Sequence, residues 1–181
     1  MGRVGVRTAY FWNVAHGLPI DMSLSRVERL NHLLAPLDAL LAGELSGMAN
    51  LANVAAAISS VSQWHWVGFY MVDHTQDNLV LGPFQGPVAC TRLFRGKGVC
   101  AKAWETGTTV VAPDVHAFSG HVACSASSKS EVVLPLVDLD LVVQAVLDID
   151  SDEEDDFTVE EVAALERLTQ LVSSQWSKWT W

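Results

Sequence analysis

The sequence predicts an α+β domain: one antiparallel sheet, with helices from both ends of the chain packed on one of its faces. Three observations predict it. Leucines recur at helical spacing near the start of the chain. Short apolar stretches bounded by Gly, Pro, Asp and Asn succeed one another from residue 66 to residue 150. A capped helical pattern then closes the chain from Thr158. Helices, then consecutive antiparallel strands, then a helix is a pattern that places helices together on one sheet face.

Residues 23–42 carry Leu24, Val27, Leu30, Leu33, Leu34, Leu37 and Leu41 at helical spacing, and Pro36 is expected to split them into two pieces. Residues 44–60 read as a further helix with Leu45, Met48, Leu51 and Val54 or Ala55 on its apolar face. The stretch 66–72 (WVGFYMV) is a strand, 73–78 a polar turn, and 79–84 the returning arm of a hairpin. Gly82–Pro83 and Gly86–Pro87 punctuate the next loop, 90–94 reads as a strand, and Gly96 and Gly98 open a short helix through Ala103 and Trp104. Residues 109–112 form a small strand, 114–129 a loop rich in Ser, His and Gly, and 131–137 with 141–150 an apolar hairpin. Thr158 caps the last helix with Glu161 three residues on, and Val162, Leu165, Leu168 and Val172 form its buried stripe. No internal repeat or linker interrupts residues 23–181, which read as one domain; residues 1–22 read as an N-terminal extension.

Composition narrows the function classes. The chain has 181 residues, half of them apolar, enough for a core of its own. A formal charge of -10 argues against nucleic acid, whose binding rests on Lys and Arg. No apolar run reaches the length of a membrane helix; the nearest, 132–147, is broken by Asp138 and Asp140. The acidic run 152–156 (DEEDD) reads as a solvated loop. Three cysteines are too few, and an odd number, for a secreted disulfide scaffold, so a reducing, cytoplasmic compartment is expected. The first twenty residues hold Arg3 and Arg7 and no acid, a weak likeness to an organelle transit peptide that leaves import open.

The stretch 123–150 concentrates the chemistry. Cys124 lies in the polar loop seven residues ahead of Glu131, which opens an apolar strand. Asp148 and Asp150 close the next strand and, two residues apart, point the same way. Clustered carboxylates raise one another's pKa, so one of them can hold a proton near neutrality and act as a donor. Each acid alone reads equally as a strand-end residue reaching water. Cys100 begins a short helix, where the helix dipole favours a thiolate. Cys90 comes after a Gly-Pro loop. A buried inert thiol, a redox pair and a metal ligand are all open for these cysteines. A metal set drawn from His116, His121 and the cysteines lacks the spacing of structural zinc sites, so no metal is expected. Trp66 and Tyr70 share one face of the first strand with Gly68, as core packing or as an aromatic wall for a small ligand.

In this order, WVGFY, LVLGPFQGPVAC, GKGVC, DVHAFSGHVAC, SEVVLPL and VLDIDS resemble the free methionine-(R)-sulfoxide reductases, small enzymes of the GAF fold. The resemblance spans residues 43–176. It implies a thiol reductase acting on the free amino acid, with no cofactor. By matching position, Cys124 would be the attacking cysteine, Cys90 the one that resolves the intermediate as a disulfide, and Cys100 a second or alternative partner. Glu131, Asp148 and Asp150 would form the acidic pocket, and Trp66 and Tyr70 its aromatic wall. Glu131 or Asp150 would protonate the sulfoxide oxygen, and a thioredoxin-like reductant would restore the thiols. Ser125 and Lys129 stand where the resemblance leads one to expect Asp and Asn, and Ala145 where it leads one to expect Gly. The competing expectation is a ligand-binding or redox-sensing GAF domain without catalysis, against which the lack of an attached output domain counts. A homodimer through the terminal helices, lined by Trp176, Trp179 and Trp181, is a further expectation.

Overall fold

A computed structural model describes residues 20–118, 120 and 127–181. Among these residues, five α-helices and six strands succeed one another: α1 (Arg26–His32), α2 (Leu34–Leu41), α3 (Gly47–Ser62), β1 (Trp66–Asp73), β2 (Asn78–Gln85), β3 (Arg92–Phe94), α4 (Gly98–Thr106), β4 (Val110–Ala112), β5 (Ser130–Val137), β6 (Val143–Ser151) and α5 (Val159–Gln175). The strands form one sheet in the order β3-β2-β1-β6-β5-β4, every neighbouring pair antiparallel.

Alternation along the central strands divides the core in two. One face turns Val67, Phe69, Val132, Leu134, Leu147 and Ile149 toward α1, α2, α3 and α5, forming the larger apolar cluster with their leucines. The helices from both ends of the chain therefore share that face, as the sequence predicts. The other face turns Trp66, Tyr70, Val133 and Val146 toward α4 and its flanking loops. Asp148 and Asp150 lie on that second face, because they alternate with Ile149.

The helix starts obey their caps. Ser25 and Thr158 each accept from the N3 backbone amide, and Glu28 and Glu161 reach back to the cap, two complete capping boxes. The split in the first helical stretch falls at Leu33, three residues before Pro36. Pro36 itself sits in the first turn of α2, where its missing N–H leaves no bond unmade. In α3 the buried stripe is Leu51, Val54, Ala55, Ile58 and Val61, whereas Leu45 and Met48 are exposed. Leu51, Val54 and Ala55 thus lie on the expected face, whereas Leu45 precedes the Ser46 cap and Met48 in the first turn faces solvent. The strand expected over 90–94 shrinks to Arg92–Phe94.

Two expectations about the chain's acidic and aromatic ends need correcting. Residues 152–155 of the acidic run are exposed as expected, but Asp156, its last, is part-buried and held by partners. Its carboxylate accepts from Arg26 Nη2 (2.7 Å), Trp64 Nε1 (3.2 Å) and Ser151 Oγ (2.7 Å), tying α1 to the end of β6. Trp176 and Trp179 are buried within the domain, and only Trp181 is exposed. The C-terminus is stapled to the start of α3: Thr180 donates its N–H to Leu45 O (2.7 Å), and Gly47 N–H donates to Thr180 O (3.1 Å).

Candidate active site

Three adjacent strands bring the acids together. In the β1–β6 pairing Trp66 faces Asp150 and Gly68 faces Asp148. In the β6–β5 pairing Glu131 faces Asp150, and Val133 faces Asp148. Cross-strand neighbours on one face stand about 4.5–5.5 Å apart at Cβ, so Glu131, Asp148 and Asp150 form a contiguous acidic patch. Glu131 and Asp148 are buried.

Helix α4 lies over that patch and supplies Cys100 from its first turn. The turn before it needs glycine: Gly96 and Gly98 have φ of +76° and +83°, and nothing crowds a Cβ at Gly96, so backbone conformation alone demands the residue there. Cys100 is a free thiol, buried, and donates toward Glu131 Oε1 at 3.8 Å. The aromatic wall stands beside it. Trp66 stacks on Tyr70 and on Phe84, with ring centroids 5.9 and 5.4 Å apart, and its Nε1 donates to Pro87 O (3.1 Å). Gly68 makes this possible, since a Cβ there would collide with the Trp66 ring and with Phe84. Tyr70 donates its hydroxyl to Cys90 O (3.0 Å), fixing the segment that carries Cys90. Cys90 is half-buried and disulfide-bonded.

The resulting cavity holds about 40 Å³ and is lined by Trp66, Tyr70, Cys100, Glu131, Asp148 and Asp150, with Ser128 and Lys97 among the rest. Of the residues expected at the site, these first six line one cavity, and Cys90 is hydrogen-bonded to its wall through Tyr70. Cys124, the remaining one, lies outside the described residues, as does His121. His116 is exposed on the turn after β4 and is not part of the cavity.

Electrostatics in the cavity result from burial and like charge. Desolvation, then the charge of Asp148 and of Asp150, pushes the Glu131 carboxyl well above its ordinary range. Desolvation, then Asp150, does the same to Asp148, against hydrogen bonds from Cys100 and Glu131. Asp150 is pushed by burial to about 6, opposed by Ser128 and by the charge of His65. The Tyr70 hydroxyl is raised by burial and then by Asp148. The expectation that the helix dipole makes Cys100 a thiolate fails: burial first, then Asp148, Glu131 and Asp150, push the thiol well above its ordinary value. Burial and like charge thus favour the protonated carboxyls and disfavour the Cys100 thiolate in this cavity.

Among the further residues lining the cavity, two are polar side chains that sequence reasoning did not single out, Ser128 and Lys97. Ser128 is buried, and its Oγ, like Asp148 Oδ1, lacks a hydrogen-bond partner among the described residues. Its signal was faint, a serine three positions ahead of Glu131. Lys97, on the exposed rim, is a cation on this acidic cavity, placed there by the Gly96 and Gly98 turn.

Comparison with known proteins agrees with this geometry. A GAF domain family profile matches residues 50–174. A free methionine-R-sulfoxide reductase of Escherichia coli is 46% identical over 132 residues, covering 72% of this chain and 78% of that protein. One from Saccharomyces cerevisiae is 36% identical, covering 83% and 87%. The X-ray structure of the Neisseria meningitidis free methionine-R-sulfoxide reductase in complex with its substrate superposes with a TM-score of 0.85 at 40% identity, covering 90% of this chain and 96% of that one. The chain is thus a GAF-domain protein and belongs to the free methionine-(R)-sulfoxide reductases, a family of oxidoreductases.

Proposed function

We propose that residues 23–181 reduce free L-methionine-(R)-sulfoxide to methionine, with residues 1–22 as an extension. One observation carries the assignment: a buried acidic patch and an aromatic wall line a single cavity, and a disulfide-bonded cysteine is hydrogen-bonded to that wall through its backbone. The Cys124 thiolate attacks the sulfoxide sulfur. Glu131 or Asp150 gives its proton to the sulfoxide oxygen, methionine departs, and Cys124 is left as a sulfenic acid. The Cys90 thiol then attacks that sulfur, forming a disulfide and releasing water. A thioredoxin-like dithiol reduces the disulfide and returns both thiols. Support for Cys90 as the resolving residue is that it is disulfide-bonded while Cys100 keeps a free thiol.

Preference for the free amino acid stems from the unpaired acceptor. Asp148 Oδ1 is buried with no hydrogen-bond partner among the described residues, and a substrate ammonium supplies both donor and charge. A peptide nitrogen is neutral and leaves the acids uncompensated. Lys97 on the rim suits the substrate carboxylate.

The test is methionine release from free (R)-sulfoxide, free (S)-sulfoxide and a peptide-bound (R)-sulfoxide, with dithiothreitol or a thioredoxin system as reductant. Release from the free (R) form alone is expected. Sulfoxide binding with no methionine formed would refute catalysis and favour a ligand-binding GAF domain.

A further inference from the structure

We infer that the same cavity is a binding site for one thiophilic divalent cation of the zinc class, held by Cys100 Sγ, Glu131 and Asp148 and excluding the organic substrate. The donor atoms of these three buried residues lie within 4.8 Å of one another. Cys100 Sγ and Glu131 Oε1 are 3.8 Å apart. A tetrahedral zinc with ordinary sulfur and oxygen bond lengths separates two such donors by about 3.5 Å, so a small side-chain adjustment closes the site. One sulfur and two carboxylates with a fourth position open is a donor set that zinc accepts with a water. The thiolate selects zinc, cadmium or cobalt over magnesium and calcium, which prefer oxygen alone.

Ser128 points to a ligand independently of the cluster. It is 4% exposed, lines the cavity, and its Oγ has no hydrogen-bond partner among the described residues. Asp148 Oδ1 is orphaned in the same space. A cation on Asp148, carrying a water within reach of Ser128, satisfies both atoms. The cavity of about 40 Å³ has room for this, since one water needs roughly 10–15 Å³ by the same measure. Asp150 and the Tyr70 hydroxyl face the site as well, and a divalent charge offsets the repulsion among the three acids.

Cys100 stays free while Cys90 is disulfide-bonded, so the site persists in the oxidised protein. That form removes the simpler alternative, chelation by a reduced cysteine pair. Occupancy by the metal stands on this geometry alone; competition with methionine sulfoxide rests on the function proposed above.

The experiment titrates the disulfide form of the full chain with Co²⁺, reading thiolate-to-cobalt charge transfer in the near ultraviolet, and then displaces Co²⁺ with Zn²⁺. One metal per chain and a spectrum of one sulfur ligand are expected. Cys100→Ser should abolish the sulfur band, and it and Asp148→Asn should each weaken Zn²⁺ roughly tenfold or more. Absence of saturable binding, a spectrum without sulfur ligation, or undiminished Zn²⁺ affinity in a folded Cys100→Ser protein overturns the site. Should that variant fail to fold by circular dichroism, the wild-type stoichiometry and sulfur band decide. Free methionine-(R)-sulfoxide is then added against Zn²⁺. Zinc binding without competition would refute the substrate's placement alone; turnover without zinc binding would refute the metal site alone.

Discussion

Replacing Asp150 by asparagine should stabilise the fold above neutral pH and leave its stability near pH 4 unchanged. The folded protein raises this carboxyl from its ordinary 3.8 to about 6, chiefly by burial. Between those values the native chain keeps a proton that the unfolded chain releases, so stability falls as pH rises through the window and stays lower above it. Each pH unit of that gap is worth about 1.4 kcal/mol, which sets an upper bound of about 3 kcal/mol. Asp150 is only partly buried, and solvent reduces the figure to about 2 kcal/mol. For a domain of this size that corresponds to roughly 4–8 °C in Tm. Removing the charge also relieves Glu131 and Asp148, both of which it raises. Thermal unfolding of both proteins, tracked by circular dichroism from about pH 4 to about pH 8, measures the gap. A gap that is flat with pH, or a variant less stable than wild type at the alkaline end, would refute the reasoning.

The proposed mechanism and the described geometry predict other outcomes. Cys124→Ser should abolish methionine formation, whereas Cys90→Ser should release a single equivalent and fail to cycle with thioredoxin; a full equivalent from Cys124→Ser would reassign the nucleophile. Gly68→Ala places a Cβ against the Trp66 ring and Phe84. It should cost about 1–3 kcal/mol in urea unfolding and raise KM more than it lowers kcat. Arg26→Met leaves Asp156 without its cation, and should lower stability by about 2 kcal/mol because a part-buried carboxylate loses its paired charge. Calorimetry of this variant checks the value, and an unchanged Tm would show that solvent replaces the arginine.

The elements were legible because period and caps are local. Thr158 and Glu161 announce the start of α5, and alternation over 66–72 assigns Trp66 and Tyr70 to one face and Phe69 to the other. The common direction of Asp148 and Asp150 was legible for the same reason. Register was not. Nothing local says that Glu131 falls opposite Asp150, or Trp66 opposite the same residue from the other side. Partner choice over long separations was equally hidden: Arg26 finds Asp156 from 130 positions away, so the last residue of a run that otherwise lies exposed becomes a structural tie. Cys100 shows a local rule overruled. A helix start favours a thiolate, but the helix lays that thiol on three acids in a buried site, and burial with like charge outweighs the dipole.

The two faces of β5 and β6 make the purpose of those acids plain. On the helical face the strands carry Val132, Leu134, Leu147 and Ile149, all buried, as packing alone requires. One residue away along the same strands, the other face carries Glu131, Asp148 and Asp150, although Val133 and Val146 beside them show that apolar side chains fit there. Valine or leucine at the acidic positions would bury more apolar surface and incur no charge repulsion. The fold therefore does not need the acids, and their presence lowers its stability at neutral pH. A group that repays such a cost must carry positive charge and donate hydrogen bonds inside the cavity. The ammonium of a free amino acid does both, and a peptide nitrogen carries no charge to offer. Under the function proposed above, discrimination between free and peptide-bound sulfoxide arises where stability is lost, at the carboxylates themselves, with the sulfur chemistry left to the cysteines.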